Sequence, residues 1–282
     1  MLTPNRERAK PISLIKAALL CLAMVLPFWP TWARLMGEWT QWDQALAHGS
    51  VMAMATLYFV FATSQMERYP QQGVALKQIT GVLLSLVFVA IAALSQRVAM
   101  DAITQLALVA LLLGLMLVFF PTVTWLRLFQ VSGLMVFSVQ AWGSLNDILL
   151  YLASEVVGTA VAMLSIPALI DGNSITLPYG VMLIADGCSG LRYFIIALAL
   201  GWLLSMSLDY RLPGMLLTLA VATVLALIMN WIRIYLLILV GFYSEMQHSL
   251  VHEHELFGWV LFAIITLPAM YFAPQRRSKG AA

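Results

Sequence analysis

The sequence predicts an all-α polytopic membrane protein, with about eight transmembrane helices and a small extracytoplasmic cap between helices 5 and 6. Three observations predict it. Of the 282 residues, 62% are hydrophobic and only 10% charged, and mean hydropathy is +0.91. A soluble domain carries roughly 25% charged residues and about half apolar ones, so a water-soluble fold of this size has nowhere to hide such a surface. The apolar residues also come in long unbroken runs rather than in alternation, which selects helices over a closed barrel. Finally, the charges are sorted along the chain in the way that multi-pass proteins sort them.

Apolar runs at about 12–32, 50–65, 79–96, 102–120, 126–142, 189–208, 214–235 and 256–273 read as spans, the second and fifth being short. The first follows Arg6, Arg8 and Lys10, a basic flank that a signal peptide would share. It is long, however, and it ends in Pro27-Phe28-Trp29-Pro30 rather than at a small-residue cleavage site, so it is read as a span. The stretch 143–166 is moderately apolar but carries Asn146, Asp147 and Glu155, and reads as an interfacial or re-entrant helix. The stretch 167–187 holds turn and strand signals, Asp171-Gly172-Asn173, Ser174 to Pro178 and Tyr179-Gly180, and reads as a hairpin or irregular cap. Residues 1–282 are expected to form one integral-membrane domain, without a soluble domain, repeat or low-complexity segment.

With the N-terminus inside, the cytoplasmic basic residues are Arg6, Arg8, Lys10, Lys16, Arg68, Lys77, Arg127, Arg211, Arg276, Arg277 and Lys279, eleven of the 15. Ten of the 13 acids fall outside: Glu38, Asp43, Asp101, Asp147, Glu155, Asp171, Asp186, Glu245, Glu253 and Glu255. This asymmetry puts both termini in the cytoplasm of a cell with a plasma (inner) membrane. The bilayer is the expected surroundings, and no nucleic-acid partner is expected.

The two cysteines read as free thiols. Cys21 falls mid-membrane, roughly 13 Å below the rim at 1.5 Å per residue, whereas Cys188 falls at the outer rim, beyond the approximately 7 Å limit for a disulfide. Cys21 reads as an inert small hydrophobe. Cys188 lies in Asp186-Gly187-Cys188-Ser189-Gly190-Leu191-Arg192, at the start of a helix, where the dipole favours thiolate. Arg192 at i+4 adds positive charge, and Asp186 opposes it unless paired with an arginine. The glycines allow a substrate backbone close approach. Arg192 and Arg233, the latter three residues after Asn230, are ionisable groups within or at the ends of spans and hence functional candidates; snorkelling to the interface is the plainer reading. His248, His252 and His254 cluster before the last span. They supply a general base or acid, a metal site completed by Glu255, or simply a solvated segment. The charge rule puts Cys188, Arg192, Arg233 and the histidines at one membrane face, and a nucleophile, a cation and a base at one rim match acyl transfer. A metal-dependent hydrolase and a non-enzymatic transporter or assembly protein remain alternatives.

Cys188-Ser-Gly-Leu-Arg192, Asn230-Trp-Ile-Arg233 and His254-x-x-x-Gly258 resemble the three signature blocks of the exosortase/archaeosortase family. His48-Gly49 and the run from Gly172 through Leu177-Pro178 and Gly180 to Asp186-Gly187-Cys188 agree more loosely. The resemblance implies a bacterial exosortase-like thiol protease or transpeptidase, associated with exopolysaccharide genes. Its substrates are membrane-anchored exported proteins with a C-terminal sorting signal of the PEP-CTERM kind: a short motif, a transmembrane helix and a basic tail. It implies Cys188 as nucleophile, His254 as proton shuttle and Arg233 as oxyanion or substrate ligand, with Arg192, Asn230, Asp186 and Ser189 in support and neither metal nor cofactor. His254 stands where archaeosortases tend to carry arginine, and the C-terminal extracytoplasmic domain of some family members is not expected here.

Overall fold

The computed structural model describes residues 11–41, 46–64, 73–163, 166–171, 174–183, 188–252 and 255–271. Long apolar runs satisfy their own backbone groups as helices, and helices are what they form. Two compact units result, 1–141 and 142–282.

In the first unit, α1 (Pro11–Val25) and α2 (Trp29–Trp39) meet at 89°. The expected first span 12–32 is therefore broken. Pro27 has no N–H for a continuing helix, and Pro30 sits in the first turn of α2, where that lack costs nothing. Trp32, expected at the span's end, instead folds back. Its indole N–H donates to the Met24 carbonyl at 3.0 Å, one of the groups left open where α1 stops. Helix α3 (Gly49–Ser64) follows, then α4 (Val74–Arg97) and α5 (Asp101–Phe119). Between the last two the backbones approach closely: a Cβ on Gly81 would lie 2.7 Å from the Gly114 carbonyl oxygen. This is the small-residue contact that membrane helices use where no hydrophobic drive separates them from lipid. The outer face of α4 shows Leu76, Ile79, Leu83 and Leu86, as a lipid-facing helix does. The expected fifth span, 126–142, is not one helix. It is α6 (Trp125–Leu134), ten residues and about 15 Å long, followed by two short 3₁₀ segments, Met135–Ser138 and Gln140–Leu145.

In the second unit, the stretch read as interfacial contains α7 (Asn146–Met163), an unbroken helix. Together with the preceding turn it has a span's length and apolarity. Strands β1 (Leu169–Asp171), β2 (Ser174–Leu177) and β3 (Gly180–Leu183) form an antiparallel sheet in sequence order, with Asp171 opposite Ser174 and Leu177 opposite Gly180. The cap is thus a three-stranded meander. Its inward residues Ile175 and Leu177 pack with Val157 and Val161 of α7 and with Ile234 and Ile238 of a long later helix. Helix α8 (Leu191–Ser207) leads to that helix, α9 (Leu212–Tyr243), then to the single turn α10 (Ser249–His252) and to α11 (Glu255–Tyr271). The sequence ends α9 at about 235, but the helix runs 32 residues, so Arg233 lies well inside it rather than at its end.

Among the described residues, four helices are long and apolar enough to cross a membrane, or five when the bent α1–α2 pair is one span. Helices α3, α8 and α11 are shorter apolar helices. The chain is a multi-pass, largely helical membrane protein.

Candidate active site

Cys188 sits in the turn that enters α8, and is 7% exposed. The turn is held from a distance. Asn230 on α9 donates from Nδ2 to the carbonyls of both Cys188 and Ser189, each at 3.1 Å. Two carbonyl acceptors fix the amide's orientation, since only the NH₂ end donates. Ser189 Oγ accepts from the Leu191 N–H at 3.3 Å just before the helix, whose N-cap is Gly190. Between them Gly190 has φ +86°, and a Cβ there would stand 2.5 Å from Asn230 Cγ. The Ser-Gly pair after the cysteine is therefore what lets Asn230 reach the turn.

One helical turn further along α9, Arg233 is 1% exposed. Snorkelling is overturned for this residue: its head is inside the protein. Among the described residues its Nε and Nη1 have no hydrogen-bond partner, and neither does Asn230 Oδ1. The guanidinium instead lies over the ring of Tyr193 on α8, Cζ 5.3 Å from the centroid. Helix α11 closes over this pair with Gly258, where a Cβ would fall 2.8 Å from Arg233 Nε and against the Tyr193 hydroxyl. The third block, His254-x-x-x-Gly258, thus enters the site through its glycine.

The fold brings Cys188, Ser189, Asn230 and Arg233 together through α8 and α9. Arg192 is half-buried at the first turn of α8. Asp186 and His254 lie outside the described residues, as do the side chains of His252 and Glu255. His248 is exposed after α9, its Nδ1 accepting from the Leu250 N–H at 3.1 Å. Among the described residues no group of three His, Cys, Asp or Glu is placed to hold a metal ion. Both cysteines are free thiols. Tyr193 is the residue the sequence reading misses. An aromatic beside Arg192 is a visible signal, but its partnership with Arg233, forty positions on, is not. An apolar cavity of about 470 Å³, lined by Gly201 and Leu204 of α8, Thr218 and Ala222 of α9 and Thr266 of α11, contains none of the candidate residues.

The chain is thus a multi-pass membrane protein whose buried Cys188 turn is bonded to Asn230, one helical turn from a buried arginine with unpartnered donors among the described residues. The stretch 32–271 matches the family described as transmembrane exosortase, and the chain belongs to that family. Exosortases have a membrane transpeptidase-like role acting on protein substrates. No curated protein and no solved structure matches the chain.

Proposed function

We propose that the chain is a cysteine peptidase or transpeptidase of the inner membrane that cleaves C-terminal sorting signals of exported proteins, PEP-CTERM-like, through a thioester on Cys188. The observation that carries this reading is Asn230, whose two bonds at 3.1 Å tie the Cys188 turn to the helix bearing Arg233, with two guanidinium N–H groups unpartnered among the described residues. In this reading the Cys188 thiolate attacks the scissile carbonyl carbon. Arg233 donates to the oxygen as negative charge develops there, where a low-dielectric setting makes such donors most effective. The C–N bond breaks as His254 hands a proton to the leaving amine. Water or an amine then attacks the thioester and gives its proton to His254, and the Cys188 thiolate leaves, restoring the starting state. Ser189 shapes the turn, while Arg192 and Asp186 set the surrounding charge. The scheme needs no cofactor and no metal.

The chain works as one integral-membrane domain over 1–282, with both termini cytoplasmic and the site at the extracytoplasmic face. The sorting of Lys and Arg to one side and of acids to the other supports that orientation.

The test is processing, in cells, of a reporter carrying a C-terminal motif, transmembrane helix and basic tail. Cys188→Ala is expected to abolish the size shift while the variant remains in the membrane. Unchanged processing by Cys188→Ala, combined with loss on adding a chelator to membranes, would instead establish the histidine-metal chemistry.

A further inference from the structure

We propose that Tyr193 is a positioning residue, which sets Arg233 in its working orientation by holding the guanidinium over its ring, and that Gly258 is the slot in α11 that lets the pair form. This rests on the reading of Arg233 as the cation that faces the substrate.

A fully buried arginine is costly and is normally held by a carboxylate. Among the described residues no ion pair holds Arg233. What lies against it is a ring face, at 5.3 Å, inside the range of cation–π attraction. The distinction matters chemically. A carboxylate takes N–H donors at the edge of the guanidinium, the same edge that a developing oxyanion needs. A ring face attracts the charge through the plane and leaves edge donors unspent, and Nε and Nη1 are the unpartnered atoms. The device is stabilising yet leaves those donors uncommitted.

The ring is itself held. Tyr193 is 3% exposed and packs with Ala226 and Met229 of α9. Trp259 meets it edge-on at 5.5 Å and 72°, and Phe262 lies at 5.5 Å and 31°. Both come from the first turns of α11, on either side of which the chain can approach only because residue 258 has no side chain. Two aromatic contacts of this kind pin a ring beyond what burial alone does. The guanidinium is then confined between Tyr193 and the α11 backbone at Gly258.

The experiment compares Tyr193→Phe with Tyr193→Met, using the same sorting-signal reporter, with Cys188→Ala alongside. Phenylalanine keeps the ring face and is expected to process within about twofold of the unaltered chain. Methionine fills the space without a ring face, and processing is expected to fall about tenfold or more. Rescue by the ring and not by bulk separates positioning from packing. Tyr193→Met processing at the unaltered rate, while Cys188→Ala abolishes it, overturns the proposal. Continued processing by Cys188→Ala strikes at the cysteine reading instead. The pair is read without any substrate by thermal unfolding of the purified full-length chain in detergent, for Tyr193→Met, Arg233→Met and the double variant. Shifts in the double that fall short of the sum support the contact, and additive shifts overturn it.

Discussion

At Gly190 two independent demands meet in one residue. Its φ of +86° costs most L-residues about 1–2 kcal/mol, and a methyl group there would press on Asn230 Cγ at 2.5 Å. Gly190→Ala is expected to displace Asn230 and release the Cys188 and Ser189 carbonyls, two hydrogen bonds worth about 1 kcal/mol each. Reporter processing should fall at least tenfold while the protein still inserts, which immunoblots of membranes against processed product will read. Gly37 serves as a control, because nothing lies within 4 Å of its Cβ position; Gly37→Ala is expected to leave processing unchanged. Asn230 shows how a residue acts by what it ties: its donors hold the Cys188 turn, and its position one turn before Arg233 links that turn to the helix bearing the arginine.

Elements in this protein meet through small residues, because apolar side chains gain little by leaving lipid for protein. The α4–α5 contact is the clearest case, with Gly81 against the Gly114 carbonyl and Gly114 against Ser85. Gly81→Val should push the helices apart and cost about 1–3 kcal/mol by overpacking, seen as a lower unfolding temperature in detergent. Processing in membranes that still contain the variant should be far less affected than by Gly190→Ala, since neither glycine of this pair belongs to the candidate site. Helix α9 illustrates a different point. Its 32 residues span about 48 Å, longer than the hydrocarbon core of about 30 Å, and the surplus beyond Arg233 carries Ile234 and Ile238 against the strand cap. The cap therefore packs on the same helix that carries the arginine.

For the whole chain, the charge sorting makes a prediction about sidedness. In a background lacking both native cysteines, a cysteine replacing the exposed Gln247 after α9 should react with a membrane-impermeant maleimide in intact spheroplasts. One replacing Lys279 should react only after the membrane is opened. The reverse pattern would invert the orientation and put the Cys188 turn on the cytoplasmic side. The segment least settled by charge is 143–166. Its Asn146, Asp147 and Glu155 argue for the interface, whereas the unbroken helix Asn146–Met163, together with the turn before it, has a span's length. Three polar residues in a moderately apolar stretch carry the interfacial or re-entrant reading, and the continuity of the helix is a tertiary outcome.

The sequence by itself determined the solvent, the secondary-structure class and the blocks that mark the family. Transfer from water to hydrocarbon is close to a sum over residues, so composition decides it without knowledge of packing. Helices follow because lipid offers no partner to an open backbone. Local turn chemistry likewise announced the strand cap at Asp171 and Tyr179. Tertiary structure decided which faces meet. Helices that are apolar all round carry no stripe to mark an inward side, so nothing in the order of residues pairs Arg233 with Tyr193, directs Asn230 to the carbonyl of Cys188, or reserves Gly258 as a slot beside both. The same is true of the 89° break between α1 and α2: Pro27 and Pro30 are legible as helix breakers, but the fold-back that lets Trp32 cap Met24 is a matter of what packs beneath it. Energies additive over residues can be read along a chain; energies that depend on the meeting of two distant side chains cannot.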